Sequence, residues 1–239
     1  MGSGGSQEAV KAQLAALDFR SHAFSDCIVL SQRGAFVALL FISVAQLAMA
    51  LLDLGVLVRG GVALGPLYHD GSVVFGPAII EAYHLESRCA KFPRILVSES
   101  VFAASQEGLV AFPDQGPQAA YRPCEFLRRD SDRLYHLDCL TTALLSPPAV
   151  IGADDGELAR RLRKIAALIR EEFQGNPRAL DIRAKWGWFL DYFNDFARVR
   201  TSHVPDLAVP PIGIDDDEMD PAATWDDLRR SFYRRGCEE

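Results

Sequence analysis

The stretch Ala23-Phe24-Ser25-Asp26-Cys27-Ile28-Val29-Leu30-Ser31 places one carboxylate between two apolar runs. Aspartate is a poor strand residue, and its burial is costly unless a partner neutralises it. Phe19 to Ser31 is too apolar and β-branched for a surface loop, and Ser25-Asp26 falls at its middle. The segment therefore reads as a β-hairpin with Ser25-Asp26 at its tip. Two roles for Asp26 compete: a tight turn, or a metal ligand held at that tip.

Directly after the hairpin, Gly34 to Leu52 carries no charge at all. Its length is near the threshold for a membrane span. Ser43 and Gln46 interrupt it, its flanks lack a Lys/Arg cluster, and only Asp53-Leu54-Gly55 separates it from the next apolar run. A helix buried between a sheet and another layer, or against a partner chain, is the better reading.

Further on, Val56 to Leu64 reads as a strand with a double glycine that lets backbones approach. His69-Asp70-Gly71-Ser72 supplies turn chemistry before the strand Val73-Val74-Phe75. Gly76-Pro77 opens a helix through Lys91, since proline suits a first helical turn. Pro93 to Ser98 is a strand, Glu99 to Glu107 a short helix, and Asp132 to Asp138 alternates as a last strand. This order predicts an α+β fold with one mixed or antiparallel sheet.

Ser146-Pro147-Pro148 marks a boundary, and beyond it the pattern is helical. Leu158, Leu162, Ile165, Ile169 and Phe173 form one stripe, and Ile182, Trp186, Phe189, Phe193 and Phe196 another. With Asn176-Pro177 between them they predict an αα-hairpin whose aromatic teeth serve packing or dimerisation. The expected division is a flexible leader over 1–6, an α+β domain over 7–145 that opens with a helical stretch running to Asp18, and a helical hairpin and tail over 150–239. In the tail, Asp215 to Glu218 lacks the alternating oxygen ligands and glycine of a calcium loop and reads as a solvated linker; a small helix is expected from Thr224.

The chain has 239 residues, 49% hydrophobic, with a net charge of −7. That length supports one substantial core, and the acidic balance argues against broad nucleic-acid binding. Five cysteines without a CxxC spacing or a secretion signal read as reduced thiols in a cytoplasmic protein.

With these elements placed, the first half resembles the catalytic domain of class III nucleotidyl cyclases. The resemblance rests on Ser25-Asp26 in the hairpin, Arg59-Gly60-Gly61-Val62-Ala63-Leu64-Gly65-Pro66, Phe75-Gly76, His84-Leu85-Glu86-Ser87, and Ile95-Leu96-Val97-Ser98-Glu99. Phe24-Ser25-Asp26-Cys27, Leu67-Tyr68-His69-Asp70, Phe75-Gly76-Pro77-Ala78 and Glu81-Ala82-Tyr83 are similar to the bacterial pyrimidine cyclases of antiphage (Pycsar) signalling. The resemblance implies a ferredoxin-like sheet with helices on one face, followed by a helical region. It also implies a head-to-tail homodimer that turns UTP, or less favourably CTP, into the 3′,5′-cyclic monophosphate that activates a downstream effector.

In that family two carboxylates bridge two divalent ions, Mn2+ or Mg2+. Asp26 matches the second of the pair, and the first has no counterpart. Asp18, eight residues earlier, lies on the hairpin's own strand. Either the opening strand lies outside this sequence, or the copy is degenerate and binds nucleotide or dimerises without turnover. The base-pocket positions fall on His22 and Val73, which disfavours adenine; Phe24 and Ser25 flank the acid. The transition-state positions fall on Ile80 and His84, with Glu81 and Tyr83 nearby. Arg59 on an apolar strand suits a phosphate contact, or else an ion pair with an acid. Arg128, Arg129 and Arg133 are either a triphosphate clamp or a solvated charge cluster.

Overall fold

Ser25 takes a positive φ of 53°, as the first position of a two-residue hairpin turn of the primed types requires. Around it, β1 (Arg20–Phe24) and β2 (Cys27–Ser31) pair antiparallel, with Phe24 opposite Cys27 closing the turn and Arg20 opposite Ser31. This computed structural model describes residues 18–107, 110–111, 120–145, 155–175 and 180–201. The leader, all but Asp18 of the N-terminal helical stretch, the prolines at 147 and 148, Asn176-Pro177, the acidic run at 215–218 and the helix from Thr224 lie outside the described residues.

The charge-free segment forms a helical turn and then α1 (Val37–Leu52). Ala38, Phe41, Ile42, Ala45, Met49 and Leu52 are buried on it, a stripe at helical spacing. Gly34–Leu52 is, among the described residues, the one helix long and apolar enough to cross a membrane. Here its buried face packs chiefly on α4 (Cys139–Leu145).

Only Gly60–Val62 of the expected strand from Val56 to Leu64 is extended into a ladder, as β3, because only those residues align with β6 (Ile95–Val97). β4 (Tyr68–Asp70) and β5 (Val73–Phe75) pair antiparallel, so the turn shifts to Gly71-Ser72 and leaves His69 within a strand. α2 (Pro77–His84) follows Gly76, whose φ of 137° and close approach to the Pro66 carbonyl admit no side chain. A π-helical turn, Leu85–Cys89, ends it earlier than Lys91. Ser98 caps α3 (Glu99–Ser105) by accepting from the Val101 amide. A small pair, β7 (Val110–Ala111) and β8 (Ala120–Tyr121), precedes β9 (Leu127–Arg129) and β10 (Tyr135–Leu137).

The main sheet runs β3-β6-β10-β9, parallel between β3 and β6 and antiparallel elsewhere. The fold is thus mixed α+β, as expected. Val62, Ile95 and Val97 face a core shared with α1 and with the helical hairpin α5 (Asp155–Gly175) and α6 (Leu180–Thr201). The expected stripe residues Leu162, Ile165, Ile169, Phe173, Trp186, Phe189, Phe193 and Phe196 are all buried in that core. Gly61 and Leu96 point the other way, where α2 and its π turn cover them. Helices therefore lie on both faces of β3, unlike the one-sided arrangement expected. The glycine is the reason, since a Cβ at Gly61 would stand 2.2 Å from the Ala82 carbonyl oxygen.

Cys27, Cys124 and Cys139 are free, whereas Cys89 is disulfide-bonded. That corrects the reading of all five as reduced thiols. Spacing along a chain does not report which Cβ atoms meet in space.

Candidate functional site

The tight turn forces the Asp26 side chain out to solvent, with no described residue of its own strand to cover it. Cys27 follows, and its thiol pKa is raised by partial burial and by the neighbouring Glu86 and Asp26 carboxylates. Glu86, whose charge acts on Cys27, stands in the π turn. Glu86 Oε1 lies 2.6 Å from Arg59 Nε, just before β3. Glu86 thus gives Arg59 the acidic partner that was the alternative to a phosphate, and its charge acts on Cys27, next to Asp26. With the Arg59 side chain 51% exposed, the pair is open to competition from a stronger anion.

His22 and Phe24 share one face of β1, their rings stacked at 5.7 Å. Val73 is exposed on β5, and Tyr83 and His84 are exposed on the last turn of α2. These three stand on elements other than the hairpin that carries Asp26. At the hairpin's far end Ser31 Oγ meets His69 Nδ1 at 2.7 Å, and Arg20 donates to the His69 carbonyl. Burial, with the Arg20 charge next, lowers the His69 pKa, so the ring is neutral near pH 7.

Among the described residues no three His, Cys, Asp or Glu side chains converge as a metal cluster. Among the described residues Asp26 pairs with no arginine, whereas Glu86 pairs with Arg59. Arg128 is drawn to Asp138 at 3.9 Å, Asp195 at 3.8 Å and the Tyr192 ring; Arg129 lies over Tyr135; Arg133 sits in a turn with φ 69°. These arginines do not converge as a clamp.

A second polar group, not anticipated from sequence, lies inside the molecule. Arg94 is 2% exposed and pairs with Asp130 at 2.6 Å and with Asp132. Trp188 Nε1 also donates to Asp130, 58 residues away. Nearby is a cavity of about 30 Å³ whose lining is mostly apolar, Met49, Leu52, Ile95 and Phe189 among it, with Arg94 and His136 at its border. That volume is far below the several hundred Å³ a nucleotide needs. The group joins α6 to the sheet and is not a substrate site. Its signal in the sequence was an arginine amid Phe92-Pro93 and Ile95, but its partners are too distant to be read by spacing.

No protein family, no curated protein and no solved structure matches the chain.

Proposed function

We propose that the chain is a class III nucleotidyl cyclase domain of the pyrimidine type. It acts in the cytoplasm as a head-to-tail homodimer that converts UTP, and CTP second, to the 3′,5′-cyclic monophosphate and diphosphate. The product serves as an antiphage messenger for a separate effector. One observation carries this reading: an exposed Asp26 at a tight hairpin tip, beside the half-exposed Arg59–Glu86 pair. The exposed Phe24, Tyr68, Phe75, Ile80 and Tyr83 support a second copy, since an apolar surface of that kind marks an interface.

Asp26 is the carboxylate of this site that would hold Mg2+ or Mn2+ together with substrate phosphates, with Glu86 paired to Arg59 until substrate is bound. When bound, such an ion supplies charge neutralisation at the α-phosphate. The residues themselves do positioning work. Arg59 transfers its fork from Glu86 to the phosphate oxygens. The His22–Phe24 stack borders the base, and Val73 and Tyr83 offer apolar surface for a small ring. The ribose 3′-oxygen bonds to the α-phosphorus in line with the departing oxygen. The α–β bridging bond breaks, diphosphate leaves with the electron pair, and the hydroxyl proton passes to water. His84 contributes positive charge when protonated.

A second reading is favoured by the single free carboxylate: the domain binds nucleotide or dimerises without turnover. Purified protein incubated with Mn2+ and each of UTP, CTP, ATP and GTP, followed by mass spectrometry, separates the two. A cyclic pyrimidine product that disappears in Asp26→Ala establishes the cyclase. No product from any nucleotide, with retained nucleotide binding or dimer mass, establishes the second reading.

A further inference from the structure

We infer that the outer face of α1, the loop that ends it and the exposed row of α5 form a docking surface for an anionic phospholipid membrane, on which the protein lies without crossing. A helix at a protein surface turns charged residues outward. α1 has none, although only 39% of the apolar stretch Gly34–Leu52 is buried. Opposite its buried stripe stand Ser43, Leu47, Ala50 and Leu51, of which Ala50 is exposed and the other three half-buried. Just past the helix Leu54 is 77% exposed, and Val56 is exposed as well. A continuous uncharged surface of this kind marks a place where something apolar docks.

The chemistry of the occupant follows from what stands beside that surface. Asp53 accepts from Lys164 at 2.9 Å and lies 3.8 Å from Arg161, and a Cβ on Gly55 would stand 3.9 Å from Leu168 Cδ1. Leu54 is therefore held at α5, between two residues that touch it. Lys164 is 61% exposed even while paired. Arg160, Arg163 and Arg170 recur along the exposed side of α5 with Ala167 between them, and Glu171 is the exposed acid at the end of that row. Cations around an apolar protrusion fit an anionic bilayer: the leucines enter the acyl boundary, and the Lys and Arg heads reach headgroup phosphates. A nucleic acid would leave Leu54 and the α1 face in water. A symmetric second copy packed here would set the α5 row against its own image, like charge on like. The chain carries a net charge of −7, so this basic face is the one that approaches an anionic surface and fixes the orientation. α1 does not leave the fold to span the bilayer, because Phe41, Ala45 and Met49 on its other side belong to the core.

The test is co-sedimentation of the full chain with vesicles of phosphatidylcholine alone and of phosphatidylcholine with about 30% phosphatidylserine. The expected result is partition at least about tenfold stronger onto the anionic vesicles, weakening as salt rises from about 0.05 to 0.5 M. Leu54→Asp should cut that partition about tenfold, and Arg163→Glu with Arg170→Glu should abolish it. All three positions are exposed, so each variant should keep the parent melting temperature, which separates lost docking from lost folding. Any of three results overturns the inference. The first is equal partition, or none, on the two kinds of vesicle. The second is parent-like binding by Leu54→Asp, which would leave a general polyanion patch of the kind a nucleic acid uses. The third is a dimer mass by light scattering that Leu54→Asp reduces to a monomer, which would give the face to a second copy. Nucleotide takes no part in the measurement, so it stands or falls apart from the proposed activity.

Discussion

The Tyr192 hydroxyl donates to Asp138 Oδ1 at 2.6 Å and accepts from the Leu140 amide at 2.8 Å. This one side chain of α6 thus satisfies both the carboxylate that caps α4, through the Thr141 amide, and an orphan donor of that helix's first turn. Tyr192→Phe leaves the Leu140 amide unmet in a buried place and takes one of two donors from Asp138 Oδ1. A loss of about 2–3 kcal/mol is expected, read from the urea midpoint. An unchanged midpoint would show that water replaces the hydroxyl at no cost.

Stability should fall as the pH drops from neutral. Burial lowers the pKa of His136 and of His69, so the unfolded chain takes up protons first. Their contribution is complete above the unfolded histidine value, about 6.5, and is lost as pH falls through the depressed folded values. Asp130 acts further down. Burial alone would raise its pKa, but the Ser131 amide, Arg94 and Trp188 outweigh that and hold it low. Its share is present above about pH 4 and lost below. Urea midpoints measured from about pH 7.5 to 3 should decline in both windows; a flat profile would refute this.

Arg59→Lys keeps the charge and discards the planar fork. Because the Glu86 pair is half exposed, stability should change by less than about 1 kcal/mol. Under the proposed reaction, turnover should drop about 10²-fold, with little change in nucleotide affinity measured by calorimetry. Equal turnover would return Arg59 to a purely structural pairing.

Arg94→Met removes the cation from between Asp130 and Asp132 and leaves two partly buried carboxylates facing each other. A cost of about 3–5 kcal/mol is expected. Arg94→Met combined with Asp130→Asn and Asp132→Asn should recover part of it, as seen by thermal melts, since the uncompensated charge and not the lost packing is the larger penalty.

Local chemistry was readable; distance was not. Ser25-Asp26 announced its turn, the charge-free run a helix (buried along one stripe only), and the aromatic stripes the helical hairpin, because each depends on residues a few positions apart. The strand expected from Val56 shrank to three residues, since apolar composition does not say which residues meet β6. Arg94 finds its acids 36 and 38 positions on. At the candidate site Asp26 and Arg59 were both legible, but their meeting through Glu86 depends on the π turn, which no pattern of spacing announced.

Gly61→Ala should be the most damaging single-methyl change in the sheet. The added Cβ would meet the Ala82 carbonyl oxygen at 2.2 Å and Leu85 Cβ at 2.8 Å, and a backbone carbonyl cannot swing aside as a flexible side chain does. α2 must move off the sheet, taking Glu86 with it, so the Arg59 pair should open too. The cost should be about 1–3 kcal/mol or more. Gly60→Ala is the control: its Cβ points to the opposite face and meets Ile95 at 3.6 Å, an ordinary contact. Chemical denaturation of both variants decides the matter. Comparable small losses would mean that α2 does not rest on Gly61, and the two-faced covering of β3 would have to be abandoned.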